Sequence, residues 1–249
     1  MADLIFLFTD FGYQGPYVGE LHAVFQRAFP DLSVIDLLHD APAFNPQAGS
    51  YLLAALAKRF QQGDVCLAVV DPGVGMPERR AIIIEADGVI FCGPDNGLLS
   101  QVVQHASKVI VNEIIWRPMQ MSTSFHGRDL FAPAIVRYLA KANLALQALS
   151  IDELIGMDWA PDVKAVIYLD QFGNAMTGLR SEKIPADTRL IVDTTEVRPA
   201  NTFAEVPVGE VFWYANSLEL VEIAVNQGSA REKLGLYVGS PISIAPDSG

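Results

Sequence analysis

Four polar clusters in this 249-residue sequence carry side chains able to do chemistry. Thr9-Asp10-Phe11-Gly12, Asp71-Pro72-Gly73-Val74-Gly75 and Pro94-Asp95-Asn96-Gly97 each place a carboxylate just after an apolar run. Ser124-Phe125-His126-Gly127-Arg128-Asp129 adds an imidazole, a guanidinium and a further carboxylate. This fourth cluster precedes a helical pattern, where free backbone N–H groups can face a ligand. An imidazole titrates near neutral pH and can move a proton, and Gly127 beside it permits close approach of backbone to ligand. Each cluster also has a plainer reading. Asp before Pro or Gly is common turn chemistry, and Asp129 suits a helix N-terminus. His22 and His105 fall in helical patterns, and His39, in Asp36-Leu37-Leu38-His39-Asp40, reads as structural. What favours function is the convergence of several polar turns at one edge.

The elements that must position these clusters follow from the hydrophobic pattern. Leu4 to Thr9, Ser33 to Leu37, Val65 to Val70 and Val109 to Ile115 read as strands. Ala81 to Ile84 and Val89 to Phe91 read as a hairpin about Asp87-Gly88. Tyr17 to Phe29 has Val18, Leu21, Val24 and Phe25 on one helical face. Asn45-Pro46 opens a second helix, with Leu52, Leu56 and Phe60 at i, i+4 spacing. Leu98 to His105 and Phe131 to Ala142 complete the helices, with Pro133 tolerable only near a helix start.

Strands alternating with helices predict a layered α/β domain over residues 1–145 with a largely parallel sheet. Ligands bind such sheets beyond the carboxyl ends of the strands, where the clusters fall. Residues 146–162 are read as a connection. From 163 to 249 short strands follow (Val166–Leu169, Leu190–Val192, Val211–Tyr214, Leu218–Ile223 and Ile242–Ile244), which predicts a smaller, mostly antiparallel β domain or barrel.

Composition excludes other classes. With 51% hydrophobic and 18% charged residues the chain is no disordered polymer. Its 17 Lys+Arg against 29 Asp+Glu argue against nucleic-acid binding, which needs clustered basic surface. Apolar runs fall short of the ~20 residues of a membrane span. Met1-Ala2-Asp3 lacks the basic stretch of a secretory leader, and Cys66 and Cys92 read as buried free thiols. A soluble cytoplasmic protein is expected. A dinucleotide fingerprint, a phosphate loop, a nucleophile elbow and zinc spacing are all missing from the sequence.

Taken together, the clusters resemble the S-adenosylmethionine hydroxide adenosyltransferase family, related to the fluorinases and chlorinases. The matching stretches are Thr9–Gly12, Gly15-Pro16-Tyr17-Val18-Gly19, Val70–Gly75, Gly93-Pro94-Asp95-Asn96-Gly97-Leu98-Leu99 and Phe125–Asp129, then Asp170-Gln171-Phe172-Gly173-Asn174 and Asn216-Ser217. They occur in the family's order over nearly the whole chain. Ser124 stands where Thr is expected, and Thr177-Gly178 where Thr-Asn is common.

The resemblance implies an enzyme that splits S-adenosylmethionine with water into adenosine and L-methionine, with no cofactor and no metal. It also implies a homotrimer with active sites between the N-terminal domain of one subunit and the C-terminal domain of a neighbour. By the same resemblance Asp71, Arg79 (with Arg80 adjacent) and His126 activate the water. Asp10 holds the ribose hydroxyls and Phe44 packs near the adenosine. Phe125 lies in the matching Phe-His-Gly stretch. Asp170 and Asn174 grip the methionine end with Phe172 as a packing neighbour, and Ser217 and Asn226 fall in the segment that approaches adenine. Gly127 stands where halogenating relatives carry a Ser that helps hold halide, and Asp71 replaces an aromatic. Three rival readings stay open: a metal-dependent hydrolase using Asp10, Asp71, Asp95 and His126, a sensor of S-adenosylmethionine or adenosine without turnover, and a halogenase.

Overall fold

A computed structural model describes residues 4–245, and the Met1-Ala2-Asp3 segment lies outside the described residues. The chain forms two compact units that divide after Trp159. The first holds strands β1 (Leu4–Thr9), β2 (Ser33–Leu38), β3 (Val65–Val69), β4 (Ala81–Ala86), β5 (Val89–Pro94), β6 (Val109–Ile114) and β7 (Leu146–Ala148). They lie in the order β2-β1-β3-β5-β4-β6-β7. Pairing is parallel across β2-β1-β3-β5 and antiparallel across β5-β4-β6-β7. The change of direction is made by the Asp87-Gly88 hairpin, whose two residues have φ of 49° and 85°, the positive pair that a tight right-twisted hairpin requires. Leu146–Ala148, within the stretch read as a connection, is an edge strand on β6. Three residues are too few to show a period, so the pattern could not reveal it.

Four helices, α1 (Tyr17–Ala28), α2 (Pro46–Ala57), α3 (Ser100–His105) and α4 (Ala132–Leu139), cover the sheet. Successive side chains of a strand face opposite ways. Ile5 and Leu7 of β1 share a core with Leu21 and Phe25 of α1 and with Ala134 and Ile135 of α4, while Phe8 faces Gly49 of α2. Every residue of β3 is buried, as a parallel strand covered on both faces must be. Cys66 and Cys92 are free and buried, and burial pushes both thiols up.

Asn45 caps α2 by accepting from the Ala48 N–H at 3.0 Å, with Pro46 at the first helical position. The helix stops at Ala57, so Phe60 lies beyond it and instead stacks on Phe6 at 4.3 Å between ring centroids. The expected Phe131–Ala142 helix is also different. Gly127–Phe131 form a widened π-helical turn that runs into α4. Pro133 has no N–H to give to the carbonyl four residues back, and the widened turn sits directly before it.

The second unit holds β8 (Val163–Leu169), β9 (Ala175–Arg180), β10 (Leu190–Val192), β11 (Thr195–Pro199), β12 (Val211–Ala215), β13 (Leu220–Val225) and β14 (Ser243–Ile244). Their order is β14-β10-β11-β12-β13-β9-β8, antiparallel except between β11 and β12. The Val166 N–H donates to the Ser240 carbonyl at 2.9 Å and the Ile242 N–H to that of Lys164 at 2.8 Å. These bonds bring β8 against the segment leading into β14, and the sheet nearly closes on itself. A short helix, α5 (Ala230–Leu234), is capped by Ser229 and ended by Gly235 at φ 64°.

Replacing Asn45 with Ala removes a cap worth about 1 kcal/mol. Chemical denaturation of Asn45→Ala is expected to show a loss of that size with an unchanged denaturant slope. An unchanged midpoint would contradict the cap.

Candidate active site

Asp10 and Asp71 follow the carboxyl ends of neighbouring parallel strands, since Thr9 of β1 is in register with Val69 of β3. His126 comes from the segment entering the π-helical turn. These three side chains and Phe11, Phe44, Val69, Val74, Phe125, Gly127 and Phe131 line one cavity of about 110 Å³ within the first unit. Acid and imidazole therefore converge in a mostly aromatic and aliphatic pocket, at the strand ends where the sheet directs its free loops.

The Asp71 side chain is enclosed, only 2% exposed. Its Oδ1 accepts from the Gly73 N–H at 3.1 Å and lies 3.5 Å from Arg79 Nε. Its Oδ2 is buried and accepts no hydrogen bond among the described residues. A buried carboxylate oxygen without a partner is uncommon, and here it borders a cavity. Arg79 also donates to the Asp95 carbonyl at 3.2 Å. Its neighbour Arg80 turns away and donates through Nε to Asp95 Oδ2 at 2.8 Å. Of the two adjacent arginines, Arg79 is the one beside Asp71. A Cβ on Gly73 would sit 2.4 Å from Arg79 Nη2, so only glycine lets the guanidinium lie across the turn.

Asp10 Oδ2 accepts from the Phe44 N–H at 3.2 Å. Burial raises its carboxyl above the ordinary value, the Phe44 bond opposes that, and the Asp71 charge adds to the rise. Phe44 has a left-handed φ of 58° and is 76% exposed, presenting its ring beside Asp10. His126 is half-buried. Loss of water lowers its pKa below the ordinary imidazole value; Asp71 pulls it up, Arg117 pushes it down and Asp129 pulls it up. A Cβ on Gly127 would meet Phe125 at 3.3 Å and Phe11 at 3.4 Å, so a larger residue there must displace an aromatic wall.

The Asp95 turn and the Asp129 carboxylate prove structural. Asp95 accepts from Arg80 and from the Ile155 N–H at 3.0 Å, and Asn96 donates to the Val70 carbonyl at 2.8 Å. The third sequence cluster thus buttresses the turn carrying Asp71. Asp129, within the fourth cluster, is bonded to Arg128 and to the Ser122 N–H. Among the described residues no three His, Cys, Asp or Glu side chains are grouped to hold a metal ion. No helix there is long and apolar enough to cross a membrane.

The remaining candidates lie in the second unit. Asp170 Oδ1 accepts from the Phe172 and Asn174 N–H groups at 2.9 and 2.8 Å, and its Oδ2 from Asn174 Nδ2 at 2.9 Å. The turn projects Phe172, 67% exposed. Ser217 precedes β13, in a turn shaped by Asn216 Oδ1, which accepts from the Leu218 and Leu220 N–H groups. Asn226 follows β13 and donates to the Val206 carbonyl at 2.6 Å. Sequence reasoning missed Glu222, which lies in β13 among apolar neighbours and accepts from Asn216 Nδ2 at 2.6 Å. Burial raises its carboxyl, although Asn216 and Tyr214 bond to it. Its only signal was one acid inside the run Leu220–Val225.

Residues 5–149 match the family model for the SAM hydroxide adenosyltransferase N-terminal domain, and residues 164–243 that for its C-terminal domain. The chain is 34% identical over 264 residues to the (R)-S-adenosyl-L-methionine hydrolase of Thermus thermophilus, covering 96% of this chain and 98% of the relative. It is 22% identical over 296 residues to the fluorinase of Nocardia brasiliensis, covering 97% and 96%. A conserved protein of Thermotoga maritima of solved structure matches with a TM-score of 0.82 at 30% identity, over 98% of this chain and all of that one.

By nuclear magnetic resonance, His126 is expected to titrate below the ordinary imidazole value of ~6.5. Asp71→Asn removes a charge that favours the imidazolium, so His126 should then titrate lower still. A rise on that substitution would contradict the geometry.

Proposed function

This chain belongs to the SAM hydroxide adenosyltransferase family, and we propose that it hydrolyses S-adenosyl-L-methionine to adenosine and L-methionine through the cavity at Asp71 and His126. The observation that carries this reading is the buried Asp71 Oδ2, unpartnered beside an imidazole and an arginine in an apolar pocket. The reaction is a displacement at the ribose C5′ carbon. A water oxygen forms a bond to C5′ as the C5′–sulfur bond breaks. The electron pair of that bond returns to sulfur, turning the sulfonium into the neutral thioether of methionine. The water gives up one proton.

His126 suits the proton transfer because its lowered pKa keeps it neutral, and able to accept, near pH 7. Asp71 orients the water through Oδ2 and stabilises the imidazolium that forms. Arg79, 3.5 Å from Asp71, favours the developing hydroxide. Asp10 accepts from the two vicinal ribose hydroxyls, since one carboxylate has acceptor sites for both. Phe44 packs on the nucleoside. Asp170, Asn174 and Phe172 serve the methionine end, and Ser217 and Asn226 the adenine. Gly127 offers no side-chain hydroxyl to a halide, which favours water over halogen. The scheme requires no cofactor. We further assign the chain to the cytoplasm and to a homotrimer whose subunits complete one another's sites.

Purified protein incubated with S-adenosylmethionine is expected to yield adenosine and methionine in equal amounts by liquid chromatography and mass spectrometry. His126→Ala and Asp71→Asn should each lose about 10²–10⁴-fold in kcat, the usual range for positioned proton transfer. Undiminished turnover in both variants, or intact substrate with the parent, would contradict the assignment. Because His126 acts as a base, kcat should rise with pH through a value below ~6.5 and be level above it. Light scattering is expected to give three times the 27.1 kDa chain mass; a monomer would contradict the trimer.

A further inference from the structure

The loops that carry Asp10 and Phe44 are tied together by a polar chain, buried at Thr9 and His39 and open to solvent at Asp36, that the mechanism above does not use. His39 is fully buried. Its Nδ1 lies 2.7 Å from Thr9 Oγ1 and its Nε2 lies 3.0 Å from Asp36 Oδ1. His22 bonds to the same Asp36 oxygen at 2.6 Å. Thr9 Oγ1 also accepts from the Phe11 N–H at 3.3 Å. The Tyr13 ring packs nearly perpendicular to the His39 ring, with centroids 5.2 Å apart.

The direction of these bonds follows from the groups. A carboxylate can only accept, so His39 Nε2 donates to Asp36. In the neutral ring Nδ1 must then accept, and the Thr9 hydroxyl donates to it. The hydroxyl's remaining lone pairs face the Phe11 N–H. Each member has one role, and the chain ends on the backbone immediately after Asp10. Backbone bonds complete the tie: the Gly12 N–H donates to the His39 carbonyl at 2.6 Å and the Ala41 N–H to the Thr9 carbonyl at 3.1 Å. Asp10 is thereby clamped between two residues anchored to His39, and the same loop carries Phe44, whose N–H bonds to Asp10.

We propose that Thr9, His39 and Asp36 form a positioning relay that fixes Asp10 and Phe44 for the nucleoside half of the substrate. The inference rests on the assignment of Asp10 to the ribose. None of the three residues lines the cavity, so they act through Asp10 and Phe44 and leave the proton transfer at His126 untouched. The relay therefore governs nucleoside affinity and not the chemical step.

The test uses steady-state kinetics with S-adenosylmethionine and calorimetry with adenosine, with Asp10→Asn as the reference. Thr9→Val removes the hydroxyl with little change of shape. His39→Gln retains a donor to Asp36 but gives up the bond to Thr9, whereas His39→Asn keeps an acceptor near the Nδ1 position. Thr9→Val and His39→Gln are expected to raise KM and the adenosine Kd about tenfold, the effect of one lost buried hydrogen bond. Their kcat and its pH profile should stay those of the parent. Thr9→Ser should restore affinity, whereas His39→Asn, which lacks the donor to Asp36, should recover it only in part. Should a histidine variant fail to fold, Thr9→Val against Thr9→Ser decides. Parent-like KM and Kd in Thr9→Val, with Asp10→Asn impaired, would overturn the relay. A parent that leaves S-adenosylmethionine intact overturns the hydrolase reading instead, and the adenosine titrations still decide the relay.

Discussion

An ionised carboxylate cannot stay buried without opposite charge and hydrogen bonds close by. The enclosed carboxyl of Asp71 has both, and much of the first unit is arranged to hold it. Arg79 stands 3.5 Å away and the Gly73 N–H supplies a bond. Arg79 can reach that place only because Gly73 has no side chain. Its backbone neighbour Arg80 is pinned by Asp95, and Asp95 is pinned by the Ile155 N–H. Asn96 ties the same turn to the carbonyl of Val70, the residue before Asp71. The polar residues around the third and fifth strands thus form one support for a single carboxylate, one of whose oxygens is left to bond a ligand.

That arrangement suits the reaction of a cation with a nascent anion. As hydroxide approaches a sulfonium, opposite charges cancel, so an apolar pocket favours the transition state over the separated charges. Phe125, Phe131, Val69 and Val74 supply those walls. The difficulty lies in making the nucleophile, and Asp71 and His126 bring polar groups to the same cavity. In the proposed mechanism neutral His126 takes the proton, Asp71 orients the water, and Arg79 offsets the negative charge. The preorganisation is built into strand ends and a π-helical turn, elements whose positions are fixed by the core and not by the ligand.

Much of the layout was legible in the sequence because its signals are local. The cap at Asn45, the positive-φ pair at Asp87-Gly88 and the fully apolar β3 each follow from their own residues. The polar turns after the first and third strands were legible for the same reason. What escaped is non-local. The strand Ala175–Arg180 is interrupted by Gly178, which reads as a breaker, yet a Cβ there would lie 2.2 Å from Val163. Its glycine reflects close packing of neighbouring strands. Thr195–Pro199 is polar and ends in proline, and it takes its strand form from its two partners. Asp95 and Asp71 look alike in sequence, each before or near glycine at a strand end. Only the position of Arg80 and Ile155 makes one a support and the other a site residue. His39 likewise gave no sign that its ring joins Asp36 to Thr9, because that contact spans thirty residues.

In the proposed reaction water attacks the ribose C5′ carbon. The direct test is a single turnover in water enriched in ¹⁸O, followed by mass spectrometry of both products. Attack by water at C5′ places one ¹⁸O in adenosine, at the 5′ position, and none in methionine. Unlabelled adenosine, or methylthioadenosine accompanied by labelled homoserine, would place the attack elsewhere and contradict it.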